Sequence, residues 1–316
     1  MQEQPLVSII IPTYNRAHLI GETLDSVLAQ TYVHWECIVV DDGSRDMTAT
    51  LIAAYISKDQ RFHYYLRPLD RPKGANACRN YGLKLAKGEY INWFDSDDLM
   101  QPDFLYRKIE VMKHEKVDFV ISKSLNFDEY VTYEVTKYKG NIVHQLSGKN
   151  YILKKVYWMT PDFFIKKECL KGYFFNESLH SGQETNFFIV FLNKINLNGV
   201  AIDEYLSLRR LHNSSIQQEL KQSKPDAYCG KLISLLASYN CIFKEVDNET
   251  KSFMQVEIMS LLHKLEIQCV GSRSFFNFTG NLIHHRNPLK ASAFLISMLL
   301  KSYFKTSYKL FEYSRS

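Results

Sequence analysis

The chain lacks the sequence features of several large protein classes. No run of apolar residues approaches the roughly 18 that a membrane-spanning helix requires, and no internal repeat or low-complexity segment is found. The N-terminal stretch MQEQPLVSII has neither the basic region nor the long apolar run of a secretion signal. These absences predict a globular, cytoplasmic protein.

Paired cysteines and glycine-rich loops are also missing. The six cysteines are scattered, with no CxxC pair and no histidine at zinc spacing, so we expect reduced thiols. No GxGxxG motif follows the first apolar segment, which disfavours an NAD enzyme. The glycine-rich N-terminal signature of a sugar nucleotidyltransferase is absent from the same place, and that class is kept only as a weaker alternative.

Excess positive charge is confined to one end of the chain. The formal net charge is +5, and residues 281–316 alone carry six basic side chains against one acidic. Within 287–316, Lys301, Lys305 and Lys309 recur every four residues and would form one basic stripe on a helix with an apolar side. This pattern predicts a helix lying on an anionic membrane surface. Docking onto the protein's own core or onto a dimer partner fits equally well, whereas an aromatic-studded groove for nucleic acid is absent.

Short apolar segments rich in β-branched residues alternate with helix-like segments. VSIIIP (7–12), ECIVVDD (36–42) and EYINWF (89–94) are typical of strands buried on both faces. Alternation of this kind predicts βαβ crossovers and an α/β fold with a mostly parallel, Rossmann-like sheet flanked by helices over residues 1–216. The remaining residues, 217–316, are expected to form a helical C-terminal region.

Carboxylates follow two of these predicted strands. Asp41 and Asp42 end one strand, and Asp95, Asp97 and Asp98 follow another. The carboxyl ends of parallel strands meet at one crevice, where ligands of such sheets bind. Crowded carboxylates repel one another unless a cation lies between them. Although aspartate is also common in turns, the combination predicts a cation site.

Basic residues lie between the two acidic segments. The stretch RPKGANACRNYGLKLAKGEY (71–90) contains Lys73 and Arg79, and the backbone around Gly74 is accessible to a ligand. Guanidinium and ammonium groups bind phosphate and also pair with carboxylates. These residues therefore contact a phosphate, or they keep the aspartates ionised, or they do both.

The ordered set of motifs resembles a family 2 glycosyltransferase with the GT-A fold. VSIIIPTYNR, VVDDGSRD and GANACRNYGLKLAKGEYINWFDSDD occur in the family's order and at its separations. The similarity is dense over residues 6–125 and continues thinly to about 216. It implies transfer of a sugar from a nucleotide diphosphate donor, by family habit a UDP-sugar, to an acceptor hydroxyl with inversion at the anomeric carbon.

Matching motif by motif assigns roles to the crevice residues. The resemblance implies that Tyr14 and Asp42 hold the nucleoside, that Asp95 lies near the ribose, and that Asp97 of the DXD-like DSD sequence binds Mn²⁺ or Mg²⁺. The other residues assigned to substrate binding are Pro12, Thr13, Asp41, Lys73, Arg79, Ser96 and Arg210. In RRLHNSS, the resemblance makes Arg210 a phosphate contact and His212 a metal ligand or a phosphate donor.

A general base is expected near the start of a later helix. In many relatives a Glu-Asp pair precedes an apolar helix, and the aspartate removes the acceptor proton. Here GQET places Gln183 at the usual Glu and Glu184 at the usual Asp. The longer side chain moves the carboxylate by about 1 Å unless the backbone compensates. Glu184 is the predicted base, with Asp162 and Glu177 as alternatives; helix capping is the competing interpretation.

The expected acceptor is a saccharide or a lipid-linked saccharide, as in bacterial capsule, O-antigen or exopolysaccharide synthesis. A lipid-linked acceptor suits a cytoplasmic enzyme that binds peripherally to the inner face of the cell membrane through 287–316. Docking of residues 287–316 onto a dimer partner would instead make the protein a homo-oligomer. Because Glu184 departs from the usual aspartate, a non-catalytic nucleotide-sugar-binding subunit is the alternative function.

Overall fold

A computed structural model describes residues 4–127, 132–134, 146–211, 225–265 and 278–282, and single positions 292 and 294. The predicted tail helix 287–316 therefore lies almost entirely outside the described residues. Residue contacts divide the chain into two compact units: unit 1 is Met1–Ser178 with Ile195–Asn213, and unit 2 is Leu179–Lys194 with Ser214–Ser316. The domain boundary near residue 216 stays a prediction.

Unit 1 is built on one sheet, to which the described residues contribute nine strands. These strands are β1 (Val7–Thr13), β2 (Trp35–Asp41), β3 (Phe62–Leu66), β4 (Tyr90–Trp93), β5 (Leu99–Met100), β6 (Phe119–Phe127), β7 (Thr132–Glu134), β8 (Phe163–Lys166) and β9 (Gly199–Arg210). Their order is β3-β2-β1-β4-β8-β6-β9-β5, and β7 pairs with β6. Every residue of β1, β2 and β4 is buried, as their continuous apolar sequences predict.

Helices alternate with the first strands, as the sequence predicts. The helices of unit 1 are α1 (Ile20–Leu28), α2 (Thr48–Lys58), α3 (Ala75–Leu85), α4 (Phe104–Glu115) and α5 (Gly148–Ile152). The first four follow the strands of the parallel half of the sheet in the alternating order that the sequence predicts. The predicted α/β class is therefore confirmed.

The sheet is parallel in one half and mixed in the other. Strands β1 to β4 are mutually parallel, as predicted. Strand β8 runs antiparallel to both β4 and β6, and β5 runs antiparallel to β9. The description "mostly parallel" is thus corrected to a mixed sheet. Apolar runs reveal burial but carry no information about strand direction, so the sequence could not distinguish the two cases.

Register brings the ends of three strands to one edge of the sheet. Thr13, the last residue of β1, pairs with Asp41, the last residue of β2. Ile10 of β1 pairs with Trp93 at the end of β4, so the residues after Trp93 continue beside the end of β1. The carboxyl ends of β1, β2 and β4 therefore share one edge, which is where parallel sheets bind ligands.

Unit 2 is helical in its described residues. It contains α6 (Gln183–Lys194), α7 (Pro225–Ile242) and α8 (Asn248–Lys264), with α6 packed on α7 and α7 on α8. The helical C-terminal region is thus confirmed. Asp247 caps α8, since its carboxylate accepts the Thr250 N–H at 2.8 Å. Within the described part of the chain, no helix combines the length and apolar character needed to cross a membrane.

Candidate active site

Three carboxylates crowd together after β4. The side chains of Asp95 and Asp97 are 36% and 16% exposed, whereas Asp98 is buried. The Arg210 N–H donates to Asp98 Oδ1 at 3.0 Å. Burial, followed by the negative charges of Asp95 and Asp97, raises the pKa of Asp98 well above its usual value. The crowding predicted from the sequence is present, and an added cation would relieve it.

Guanidinium groups surround this acidic cluster. Arg79 Nη2 donates to Asp95 Oδ1 at 2.8 Å. Arg16 Nη2 lies 3.6 Å from Asp97 Oδ2. Arg210 Nε donates to the Asp97 carbonyl at 3.1 Å. The predicted residues Arg79 and Arg210 therefore lie beside the carboxylates, and Arg16 joins them although sequence reasoning did not select it.

Asp42 is held at the end of β2 by two donors. Arg67 Nε donates to its Oδ1, and the Gly74 N–H donates to its Oδ2 at 2.9 Å. Its own N–H bonds the Thr13 carbonyl at 2.9 Å, which ties the ends of β1 and β2 together. A carboxylate has about four acceptor positions, so Asp42 keeps the capacity to bind a further donor.

Asp41 has a different environment from Asp42. Its Oδ1 accepts hydrogen bonds from the Gly43 N–H and from both the N–H and the hydroxyl of Ser44, at 2.7 to 3.0 Å. Its Oδ2 accepts the Tyr64 hydroxyl at 2.8 Å. With only 1% of its surface exposed, Asp41 organises the turn after β2. A direct substrate contact stays a prediction for this residue.

Tyr14 and Lys73 face one another across the crevice. Tyr14 is 41% exposed, and Lys73 Nζ lies 4.3 Å from the centroid of its ring, within cation–π range. Lys73 precedes Gly74, whose N–H binds Asp42. Tyr14, Asp42 and Lys73 therefore border the same part of the crevice. An exposed aromatic face beside an acceptor and an ammonium group suits a nucleoside linked to phosphate.

The buried thiol of Cys78 on α3 is influenced by the charged groups that follow β2. Burial, followed by the charge of Asp42, raises its pKa to about 12, and Arg67 and Arg79 oppose this rise. Arg79, on the same helix as Cys78, holds Asp95. The register of β1 with β2 and with β4 brings the carboxylates after β2 and β4 to one edge of unit 1, as the topology predicts.

The smaller predicted residues are buried at the end of β1 and just after β4. Pro12 and Thr13 belong to the end of β1, and Ser96 lies between the two aspartates of the DSD sequence. All three are buried. Among the residues that the structure describes, none hydrogen-bonds the Thr13 hydroxyl, so this buried group has capacity for a ligand.

Arg67, like Arg16, is a crevice residue that sequence reasoning missed. Its side chain is 9% exposed, and besides binding Asp42 it donates from Nη1 to the carbonyls of Pro68 and Arg71. One guanidinium thus pairs with Asp42 and fixes the segment 67–74. The only available signal was a charged residue directly after an apolar strand, and that occurs in many turns.

Replacing Arg67 by Gln is expected to lower the free energy of unfolding by about 3 kcal/mol, because Asp42 would be left as a buried charge without its partner. Urea denaturation measures the change. Arg71→Gln is the matched control: the Arg71 side chain is 42% exposed, and its carbonyl remains available to Arg67. An equal loss in the two variants would contradict the importance of the Arg67–Asp42 pair.

Glu184, the predicted base, belongs to unit 2. It lies in the first turn of α6 and is half-buried. His212, the predicted second metal ligand, lies outside the described residues.

The two alternatives to Glu184 lie in unit 1 and are both engaged. Asp162 is fully buried, and its carboxylate accepts the hydroxyls of Ser124 and Ser207 and the Met159 N–H. Burial raises its pKa. These contacts give Asp162 a role in the core and argue against its acting as a base.

Glu177 is more accessible than Asp162. Its Oε1 accepts an amide hydrogen from Asn80 at 2.9 Å and lies 3.5 Å from Arg71 Nη1. Its side chain is 17% exposed. Glu177 therefore remains a competitor that an experiment must separate from Glu184.

The acidic cluster has the right chemistry for a hard divalent cation but does not supply a complete set of ligands. Among the described residues, no three His, Cys, Asp or Glu side chains are grouped so that they could hold a metal ion. Asp95 and Asp97 are the partly exposed carboxylates of the cluster. Mg²⁺ is commonly bound through one or two carboxylates with substrate phosphates completing its shell, and Mn²⁺ also suits oxygen ligands. The residues fit a metal of that kind.

Solved structures with the same fold include two that contain a nucleotide sugar. S. aureus TarS in complex with UDP-GlcNAc has a TM-score of 0.63 and 17% identity, covering 99% of this chain and 90% of that one. The mannosyltransferase PcManGT from Pyrobaculum calidifontis, in complex with GDP-Man and Mn²⁺, has a TM-score of 0.56 and 16% identity, covering 99% and 86%. At these identities the likeness shows the fold alone, and that fold is GT-A.

Sequence comparison supplies the family. The putative teichuronic acid biosynthesis glycosyltransferase TuaG of Bacillus subtilis is 40% identical over 116 residues, which cover 37% of this chain and 45% of that protein. The chain spans less than half the length of the first curated relatives that it matches. Residues 8–174, more than half of the chain, match the profile described as Glycosyl transferase family 2. The match includes β1, β2, β4 and the acidic crevice, and the chain therefore belongs to glycosyltransferase family 2.

Proposed function

We propose that the protein transfers a sugar from a nucleoside diphosphate donor, of the UDP-sugar class, to an acceptor hydroxyl with inversion of the anomeric centre. The observation that carries the proposal is the single edge of the unit 1 sheet to which the register of β1 with β2 and with β4 brings Asp42 and the Asp95–Asp98 cluster. Family membership and the fold shared with TarS support it.

Unit 1 would bind the donor. The ring of Tyr14 offers an apolar face for the base, and Asp42 offers acceptor positions for base N–H groups. Arg79, held beside Asp95, and Lys73 would bind ribose or phosphate oxygens, since both side chains are donors only. The negatively charged diphosphate would bind the side chains of Arg79 and Lys73, which are positive groups of an otherwise acidic crevice.

A divalent cation, Mn²⁺ or Mg²⁺, would be held by Asp97 with Asp95 nearby, and His212 is a further candidate ligand. When bound, such an ion stabilises the charge that develops on the leaving diphosphate oxygen. The crowding of three carboxylates after β4, two of them partly exposed, supports a site that receives positive charge.

Glu184 would act as the general base. The acceptor oxygen attacks the anomeric carbon and forms the new C–O bond while its proton passes to a Glu184 carboxylate oxygen. The bond between the anomeric carbon and the diphosphate oxygen breaks, and its electron pair leaves with the nucleoside diphosphate. One displacement of this kind inverts the anomeric centre.

The acceptor is proposed to be a bacterial surface saccharide or its lipid-linked precursor. TuaG is named for teichuronic acid synthesis, and this likeness supports a role in polysaccharide assembly. A lipid-linked acceptor agrees with a cytoplasmic protein that contacts the membrane through residues 287–316. The basic stripe in that segment supports this contact, and docking onto a second copy is the competing role of the same segment.

A thermal-shift screen of UDP, GDP, CDP and dTDP, each with and without Mn²⁺, tests the donor class, followed by donor turnover over a saccharide panel. UDP with Mn²⁺ is expected to raise the melting temperature most, because UDP is the nucleotide of the proposed donor. A ligand at 100 times its Kd stabilises a protein by about 2.7 kcal/mol. No shift with any nucleotide would contradict the proposal. Tight UDP binding without turnover over the whole panel would instead indicate a non-catalytic binding subunit.

A further inference from the structure

One face of α7 in unit 2 is made of small residues. Gly230, Ser234 and Ser238 follow one another at intervals of four, so they lie on the same side of the helix. Ser234 and Ser238 are 3% and 0% exposed. This face packs against α6 and the residues just before it.

Hydrogen bonds from this face fix the chain on both sides of Glu184. The Ser234 hydroxyl donates to the Gly182 carbonyl at 2.7 Å. The side-chain amide of Asn186 donates to the Ser238 hydroxyl at 2.8 Å, and that hydroxyl donates to the Ser234 carbonyl at 2.9 Å. Glu184 therefore lies midway between two points that are bonded to α7.

Helix α7 and the loop before α6 approach so closely that neither Gly230 nor Gly182 has room for a larger side chain. A Cβ atom on Gly230 would lie 2.6 Å from Ser181 Cβ. A Cβ atom on Gly182 would lie 2.7 Å from Ser234 Oγ, and Gly182 also has a φ of +63°, which disfavours other residues. The loop 181–182 is thus held by close packing as well as by hydrogen bonds.

We infer that Gly230, Ser234 and Ser238 of α7 are positioning residues, which set the backbone from which Glu184 reaches the acceptor. The inference rests on the proposed function of Glu184. A displacement of about 1 Å at a reacting group can cost 100-fold in rate. Because the glutamate is one methylene longer than the usual aspartate, its backbone position has to be defined closely for the carboxylate to be placed.

Kinetics of Ser234→Ala and Gly230→Ala test the inference. Ser260→Ala is the matched control, since the Ser260 hydroxyl on α8 donates within its own helix, to the Val256 carbonyl 2.8 Å away. We expect kcat to fall roughly 10- to 100-fold in both α7 variants. The donor KM and the affinity for UDP should stay within about twofold, as they depend on unit 1, and the control should keep wild-type kcat.

The outcomes separate this inference from the function on which it rests. Wild-type kcat in both α7 variants, together with a large loss in Glu184→Gln, would overturn the inference alone. A loss of kcat with an equal loss of UDP affinity would also overturn it, because that indicates general unfolding. If Gly230→Ala does not fold, Ser234→Ala decides, since it removes a single hydroxyl. Full turnover by Glu184→Gln would overturn the proposed base and the inference together.

Discussion

Replacement of Glu184 by Gln is expected to reduce sugar transfer by about 10²- to 10⁴-fold, the range that a general base contributes. The glutamine amide has nearly the same shape as the glutamate carboxylate, but at neutral pH it cannot take the proton of the attacking saccharide hydroxyl. Affinity for UDP should not change, because Glu184 belongs to unit 2 and the proposed nucleotide contacts belong to unit 1. Steady-state kinetics with a saccharide acceptor, combined with calorimetric titration of UDP, measures both quantities.

Glu177→Gln is the matched control, since it makes the same change at the competing carboxylate. It keeps a side-chain oxygen that can accept from Asn80, so we expect wild-type turnover to within a few-fold. Reversal of the two results, with Glu177→Gln inactive and Glu184→Gln active, would move the base to unit 1. Equal small effects in both variants would contradict general-base catalysis by either residue.

Replacement of Asp97 by Asn is expected to abolish the Mn²⁺ dependence of UDP binding and to weaken binding in the presence of Mn²⁺ by roughly 100-fold. Folding should not suffer. Asp97 is one of the two charges that raise the pKa of Asp98, so its removal relieves repulsion within the cluster. Calorimetric titration with and without Mn²⁺ gives the binding result, and thermal unfolding without nucleotide gives the stability.

The control for Asp97 is Asp103→Asn, a carboxylate of the same segment that accepts the Thr31 hydroxyl at 2.7 Å on the surface. It should retain the Mn²⁺ effect in full. Equal affinity of the wild-type protein for UDP in Mn²⁺ and in a chelator would contradict the metal site at Asp97. A large drop in melting temperature for Asp97→Asn would instead show that this carboxylate holds the fold together.

The part of the site that could be predicted is the part that strand ends determine. Continuous apolar runs predicted β1, β2 and β4. Because ligands of parallel sheets bind at the carboxyl ends of the strands, Asp42 and Asp97 were then expected at one edge. Their crowding followed from sequence spacing alone. Neither inference needed a contact between distant residues.

The remainder depends on contacts that have no local pattern. Arg67 binds Asp42 across 25 positions, and a single arginine after a strand does not indicate its partner. Ser234 is 52 residues from Gly182, and small residues in a helix give no sign of what packs on them. The direction of β8 was missed for a similar reason, since strand pairing is decided by the chain path and not by composition.

The central claim is that carboxylates from two separate strand ends serve one nucleotide. A crystal structure of the protein with UDP and Mn²⁺ tests it most directly. The account predicts a base beside Tyr14 and Asp42, a diphosphate beside Arg79, and an anomalous manganese peak coordinated by Asp97. UDP bound away from Asp42, or manganese bound without Asp97, would contradict it.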